Sequence, residues 1–267
     1  MRRSRAARKR HARNIAIGVA ALVLFASVLA GVGYYLWTRD AGLDRQTLCP
    51  RTGPAGHVVL LVDKTDPLNF SQKEAFLRLL EELVDRRVAP GWLVSVFVLG
   101  EDFREGAKPL VEVCNPGSGE GKSELTANIA KLNAQYRQRF REPLLKQADV
   151  LIATNPAKSS PIIEMLQLVS INGFRKHAAA GPRRLIVVSD MLHKTPQFSM
   201  YQGIPDFDQF ASTDYGRKMR AELDGVEVEL HHVLNYPKLQ NRRQLQFWES
   251  YFTRSGARIE AVRPLEG

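Results

Sequence analysis

The sequence predicts an α/β protein: a Rossmann-like open, mostly parallel six-stranded sheet with helices on both faces, preceded by one N-terminal transmembrane helix. Three observations predict it. From residue 57 onward, short and nearly continuous apolar runs alternate with amphipathic segments, as in strands covered on both faces and joined by helical crossovers. Two of those runs end in an aspartate, Asp63 and Asp190, at the strand ends where open sheets collect ligands. Residues 14–37 carry no charged side chain and follow a basic start, which suits a helix in lipid.

The chain of 267 residues has 38 Lys+Arg against 28 Asp+Glu, a net charge of +10. Seven of the bases, Arg2, Arg3, Arg5, Arg8, Lys9, Arg10 and Arg13, precede residue 14, leaving 31 against 28 in the rest. A nearly neutral remainder excludes a nucleic-acid surface spread over the fold. Hydrophobic content of 44% and charged content of 25% exclude wholesale disorder. The expected organisation is a basic cytoplasmic tail (1–13), a transmembrane helix (14–37), a linker (38–56) and a domain outside the membrane (57–267). Tyr34, Tyr35 and Trp37 close the apolar run at headgroup level, and the basic side stays in the cytoplasm. That places the domain in the periplasm or the extracellular space. Val28-Leu29-Ala30 has the form of a signal-peptide cleavage site, but the length of the run and its aromatic end favour an uncleaved signal anchor. Cys49 and Cys114 both fall on the exported side, where a disulfide persists. The sequence leaves open whether they pair.

The elements follow in order. Residues 38–56, with Pro50, Gly53, Pro54 and Gly56, have no periodicity. Residues 57–63 read as a central strand. Ser71 and Glu74 have capping-box spacing ahead of a helical face of Phe76, Leu79, Leu80, Leu83 and Val84. Residues 92–99 and 110–114 read as the next strands, and Leu125, Ile129, Leu132, Tyr136 and Phe140 as a long amphipathic helix. Ser160 before Pro161 reads as an N-cap with proline at N1, opening a helix through Leu166 and Val169. Strands follow at 184–190 and 226–233. Asn241 caps a helix carrying Leu245, Trp248 and Phe252, Gly256 stops it, and 258–262 is the last strand.

The strand ends carry the chemistry. Asp63-Lys64-Thr65-Asp66-Pro67 follows the first strand, Ser160 opens the later helix, and Val188-Ser189-Asp190 closes the fourth strand. In these residues the stretch 57–263 resembles a von Willebrand factor type A (vWA) domain. That family builds a metal-ion-dependent adhesion site from Asp-x-Ser-x-Ser after strand one, a Thr from a second loop and an Asp after strand four. Asp63 matches the first Asp, Thr65 the first hydroxyl, Ser160 the Thr and Asp190 the last Asp; the second serine falls on Pro67, which has no ligand atom. The resemblance implies a partly degenerate site in which Asp63, Thr65, Ser160 and Asp190 hold Mg²⁺ and a protein partner adds a carboxylate. Mg²⁺ is a hard ion that takes oxygen ligands and keeps several waters, so water or Asp66 can replace the missing serine. Strand-end aspartates and capping serines also occur without a metal, and Pro67 favours that alternative, a metal-free scaffold of a membrane complex.

Other motifs fall short. Residues 116–123 approach the phosphate-binding G-x-x-x-x-G-K-[ST] pattern, but the first glycine is Pro116, which has no amide to donate; a loop with Ser123 capping the next helix is expected. An aspartyl phosphotransferase needs a second Asp where Thr65 stands. There is no G-x-S-x-G or H-E-x-x-H. His231 and His232 alternate faces of a strand, and His193 is expected as a solvated loop residue. No nucleophile–base pair emerges, so an enzyme is not expected. The connection 191–213 exceeds the ~12–15 residues usual for compact domains. Leaving Asp190, it is expected beside the metal face, with Phe198, Met200, Tyr201 and Phe207 offered to a protein partner. Packing of this loop over its own helices is the equal alternative. The expectation is a membrane-anchored vWA-like adhesion or scaffold module with a protein partner and no nucleic acid.

Overall fold

The computed structural model describes residues 3–39, 42–121, 123, 128–153 and 157–266. Lys122 and Leu125 lie outside the described residues, as do the side chains of residues 2–13 and the rings of Tyr35 and Trp37. The chain forms two compact units, Met1–Gly42 and Leu43–Gly267. The first is one helix, α1 (Arg3–Arg39). Within it Ile15–Tyr34, 20 residues of mean hydropathy 2.6 with none buried inside the protein, has the length and composition to cross a bilayer.

The second unit holds the open, mostly parallel six-stranded sheet that the sequence predicts. Its strands are β1 (Gly56–Asp63), β2 (Trp92–Leu99), β3 (Val111–Cys114), β4 (Arg183–Ser189), β5 (Val226–His232) and β6 (Arg258–Pro264), in spatial order β3-β2-β1-β4-β5-β6. Only β3 runs antiparallel, against β2. A bulge at Val228/Glu229 shifts the β5–β6 register. Along β1 the side chains alternate between two cores. Val59 and Leu61 join Phe97, Val187, Ile162, Met165 and Trp248 on one face. Val58, Leu60 and Val62 join Phe76, Leu80, Val96, Phe140 and Val188 on the other. Burial on both faces explains why these strands read as unbroken apolar runs.

The helices are α2 (Phe70–Glu82), α3 (Ile129–Tyr136), α4 (Glu142–Leu145), α5 (Ala148–Ile152), α6 (Ile162–Leu168), α7 (Phe207–Ser212), α8 (Asp214–Lys218) and α9 (Arg242–Arg254). Three N-termini differ from expectation. Asn69, not Ser71, caps α2: its side chain accepts from Gln72 N–H, while Gln72 Oε1 accepts from Asn69 N–H, both at 2.9 Å. Asn128, not Ser123, caps α3 by accepting from Lys131 N–H. Before α6 the cap position is Pro161, with no side-chain cap, because Ser160 is held in a two-way backbone bridge with Lys194. Asn241 caps α9 as expected.

The linker is shorter than 38–56, since Leu43 onward belongs to the compact unit. Leu48 is buried there at φ +58°. Cys114 N–H donates to Thr47 O, and Cys49 and Cys114 form a disulfide with α-carbons 4.8 Å apart.

Candidate metal and partner-binding site

β1 and β4 are adjacent parallel strands with Val62 opposite Val188. Their carboxyl ends therefore deliver Asp63 and Ser189-Asp190 to one place, on the two strands from which the sheet grows outward in both directions. Asp63 Oδ1 accepts from Thr65 N–H (3.0 Å) and Thr65 Oγ1 (2.7 Å). Asp63 Oδ2 accepts from Ser160 Oγ (3.3 Å) and Ser189 Oγ (2.7 Å). Asp190 Oδ1 accepts from Leu192 N–H (2.8 Å), while its Oδ2 is buried without a hydrogen-bond partner. The fold thus brings Asp63, Thr65, Ser160 and Asp190 together, all buried.

The electrostatics are those of two acids short of a counter-charge. Burial raises the Asp63 carboxyl above the usual aspartate value. Burial, and then the neighbouring Asp63, raises Asp190. Among the described residues no salt bridge reaches either one. A divalent cation fits this donor set: two carboxylates, three hydroxyls, and one carboxylate oxygen left unsatisfied. The site is built of two carboxylates, and the described residues hold no cluster of three or more His, Cys, Asp or Glu at metal-binding spacing. Pro67 contributes only its backbone, whose carbonyl accepts from Asn235 Nδ2. Asp66 accepts from Tyr236 Oη at 3.0 Å.

Several residues that hold the site were not visible in the sequence pattern. Ser189 is the shortest contact to Asp63 Oδ2. The Asp190 carbonyl receives Gln244 Nε2 (2.8 Å), Gln240 Nε2 (3.0 Å) and His232 Nε2 (3.1 Å). Met191 follows at φ +58°, a left-handed conformation costly for a side chain. It is held there by Ser189 Oγ on its N–H and Trp248 Nε1 on its carbonyl. Gln244 lies on the buried face of α9 and Gln240 just before its N-cap Asn241, so no single periodic pattern joins them.

His193 corrects the expectation of a solvated residue. It is fully buried, and burial lowers its pKa to about 3. The connection 191–213 packs over its own helices in part. Met200 is fully buried in the core, so it is not a contact residue. Phe198, half-buried, is stacked on His193 and Phe247 and packs against Phe210. Tyr201 and Phe207 remain half-buried. The Tyr201 ring meets Tyr236 edge-on at 5.7 Å.

No protein-family model matches the chain, and no curated protein matches it. The solved structures to which the chain is similar include the following. An aerotolerance-related membrane protein from Bacteroides fragilis, carrying multiple mutations to serines, is 11% identical with TM-score 0.35, over 79% of this chain and 91% of that one. The SpRpn10 VWA domain is 8% identical with TM-score 0.40, over 79% and 89%. The manganese-loaded TRAP protein of Plasmodium vivax is 13% identical with TM-score 0.34, over 70% and 61%.

Proposed function

We propose that the chain is a membrane-anchored vWA-like protein-interaction module that holds Mg²⁺ between Asp63 and Asp190 and takes a carboxylate of a protein partner. In this reading α1 anchors the chain with its N-terminus in the cytoplasm and the domain outside, following the basic flank. Asp63 and Asp190 supply charge; Thr65 and Ser160 supply neutral oxygens. When bound, Mg²⁺ provides an electrophilic position for a partner's carboxylate oxygen. The residues around it fix geometry: Ser189 holds Asp63, and Gln240, Gln244 and His232 hold the Asp190 peptide. Half-buried Phe198, Tyr201 and Phe207 are the residues of the long connection that remain available to a partner. No turnover is proposed. The observation that carries the reading is the pair of buried carboxylates with no cationic side chain among the described residues to neutralise them.

A metal-free scaffold is the second reading, favoured by one observation: both Asp63 oxygens already accept two hydrogen bonds each inside the protein. Thermal unfolding of the full chain in detergent, followed across a Mg²⁺ and Mn²⁺ titration, decides between them. Binding to the folded state stabilises it by about 2.7 kcal/mol at a hundredfold excess over Kd. A saturable rise in unfolding temperature that Asp190→Ala abolishes supports the metal site. No rise at millimolar metal leaves the scaffold.

A further inference from the structure

At the other end of α9 from the aspartates, a pocket opens between α7, α8 and the last turn of α9. Gln244, which reaches the Asp190 carbonyl, and Arg254, in the pocket lining, are ten residues apart, about 15 Å of helix. The pocket holds about 340 Å³, at the small end of the ~300–1,000 Å³ usual for ligand sites. Half-buried Phe207 is its accessible wall, and the rings of Phe210 and Tyr251, both buried, stand behind it. The Phe207 ring centroid lies 6.1 Å from that of Phe210 and 6.4 Å from that of Tyr251. The Tyr251 hydroxyl is spent on the Met219 carbonyl at 3.2 Å, so it makes no demand on a ligand.

Every charged side chain in the lining is cationic: Arg217, Arg220 and Arg254. All three are exposed and open to a ligand. Arg217 pairs with Asp214 and donates to the Ser212 carbonyl. Arg254 pairs with Asp208 at 3.0 Å and lies over the Phe207 ring. Neither acid lines the pocket. Glu222, two residues beyond Arg220, faces Arg175 at 3.6 Å. Among the described residues the Arg220 guanidinium makes no ion pair or hydrogen bond. The pocket mouth therefore keeps one uncompensated positive charge beside aromatic walls. A guanidinium fork meets a carboxylate through two parallel N–H···O bonds, and a single carboxylate balances a single charge.

We infer that this pocket binds a small monocarboxylic acid with an apolar body, its carboxylate on Arg220 and its body against Phe207, Phe210 and Tyr251. The site uses none of the residues assigned to the metal, and its test is run without metal.

The probe is 4-phenylbutyrate, titrated into the full chain in detergent with EDTA present, its free concentration set by dialysis against protein-free micelles. The neutral 4-phenylbutanamide, acetate, and the peptide acetyl-Gly-Gly-Phe with a free carboxyl terminus are titrated alongside. Binding is followed by NMR of ¹⁵N-labelled arginine side chains and ¹³C-labelled phenylalanine rings. Saturable binding of the acid is expected, at least tenfold tighter than the amide or acetate, with Arg220→Gln lowering it to the amide's level. Equal binding of acid and amide overturns the inference on the wild-type protein alone, whether or not the variant folds. Acetate binding as tightly as 4-phenylbutyrate also overturns it, leaving only surface ion pairing. A peptide that binds tighter than the acid, with the same dependence on Arg220, overturns the small-molecule ligand. A Mg²⁺-induced rise in unfolding temperature in a chain that fails to bind 4-phenylbutyrate removes this inference and leaves the metal reading standing.

Discussion

Half-buried Glu229 on β5 and the buried Asp63–Asp190 pair at the ends of β1 and β4 are acids on one sheet, treated in opposite ways. Glu229 is surrounded by basic side chains: Arg87 contacts both its oxygens, His231 Nε2 lies at 2.9 Å and Arg263 at 3.2 Å. Hydrogen bonds from His231 and then Arg87 hold its carboxyl down to about 2. Asp63 and Asp190 receive hydroxyls and amides but no cation, and their carboxyls move up. Where an acid only has to stay in place, this fold supplies the counter-charge from its own side chains. At the carboxyl ends of the central strands it supplies shape and neutral donors.

The contrast can be broken most strongly from the Glu229 side. Glu229→Ala strips the shared partner from Arg87, His231 and Arg263, and is expected to cost about 2–3 kcal/mol in urea unfolding at neutral pH. An effect below 0.5 kcal/mol would mean the cluster is only decorative. Acid gives the next effect. Glu229, lowered from 4.5 to about 2, contributes stability that is complete above pH 4.5 and lost as pH falls toward 2. Buried His57, lowered by burial from 6.5 to about 3, must stay neutral to remain folded. Its contribution is complete above pH 6.5 and falls by at most about 1.4 kcal/mol per unit down to pH 3. A pH dependence of stability between pH 7 and pH 4 that is unchanged in His57→Gln would contradict this.

Gln244→Ala is a smaller test, at the site itself. It removes one of three donors to the Asp190 carbonyl and is expected to cost about 1–2 kcal/mol and to weaken any Mg²⁺-dependent stabilisation. Asp190→Asn sharpens the contrast through its sign. Without metal it relieves the repulsion from Asp63 and is expected to stabilise by about 1 kcal/mol, the reverse of the Glu229 result. Destabilisation by Asn would show that the pair is already neutralised within the protein.

The apolar runs made the sheet legible, because strands buried on both faces admit few other residues. Strand ends made Asp63 and Asp190 legible, and the resemblance to the vWA motif added Thr65 and Ser160. Caps were harder to place. Asn69 and Ser71 are both good caps two residues apart, and the reciprocal bond with Gln72 decided between them. His193 and Met200 look alike in sequence to exposed loop residues; the backbone bridge between Ser160 and Lys194 and the aromatic cluster around Phe210 turn them inward. The clamp from Gln240, Gln244 and His232 on one carbonyl depends on α9 meeting the end of β4. No local pattern encodes that meeting.

The sheet's two outer margins have a consequence for how copies of the protein coexist. Anchoring in a bilayer concentrates proteins in two dimensions, where an open strand margin recruits a neighbour's strand. On one margin, β3 is four residues long, and its last N–H is spent on Thr47 beside a covalent cross-link. On the other, β6 is bulged at Glu260, carries Arg258 and Arg263, and ends in Pro264. Neither margin offers a long, flat, uncharged template, so crowding on the membrane does not by itself zip the domains into a shared sheet.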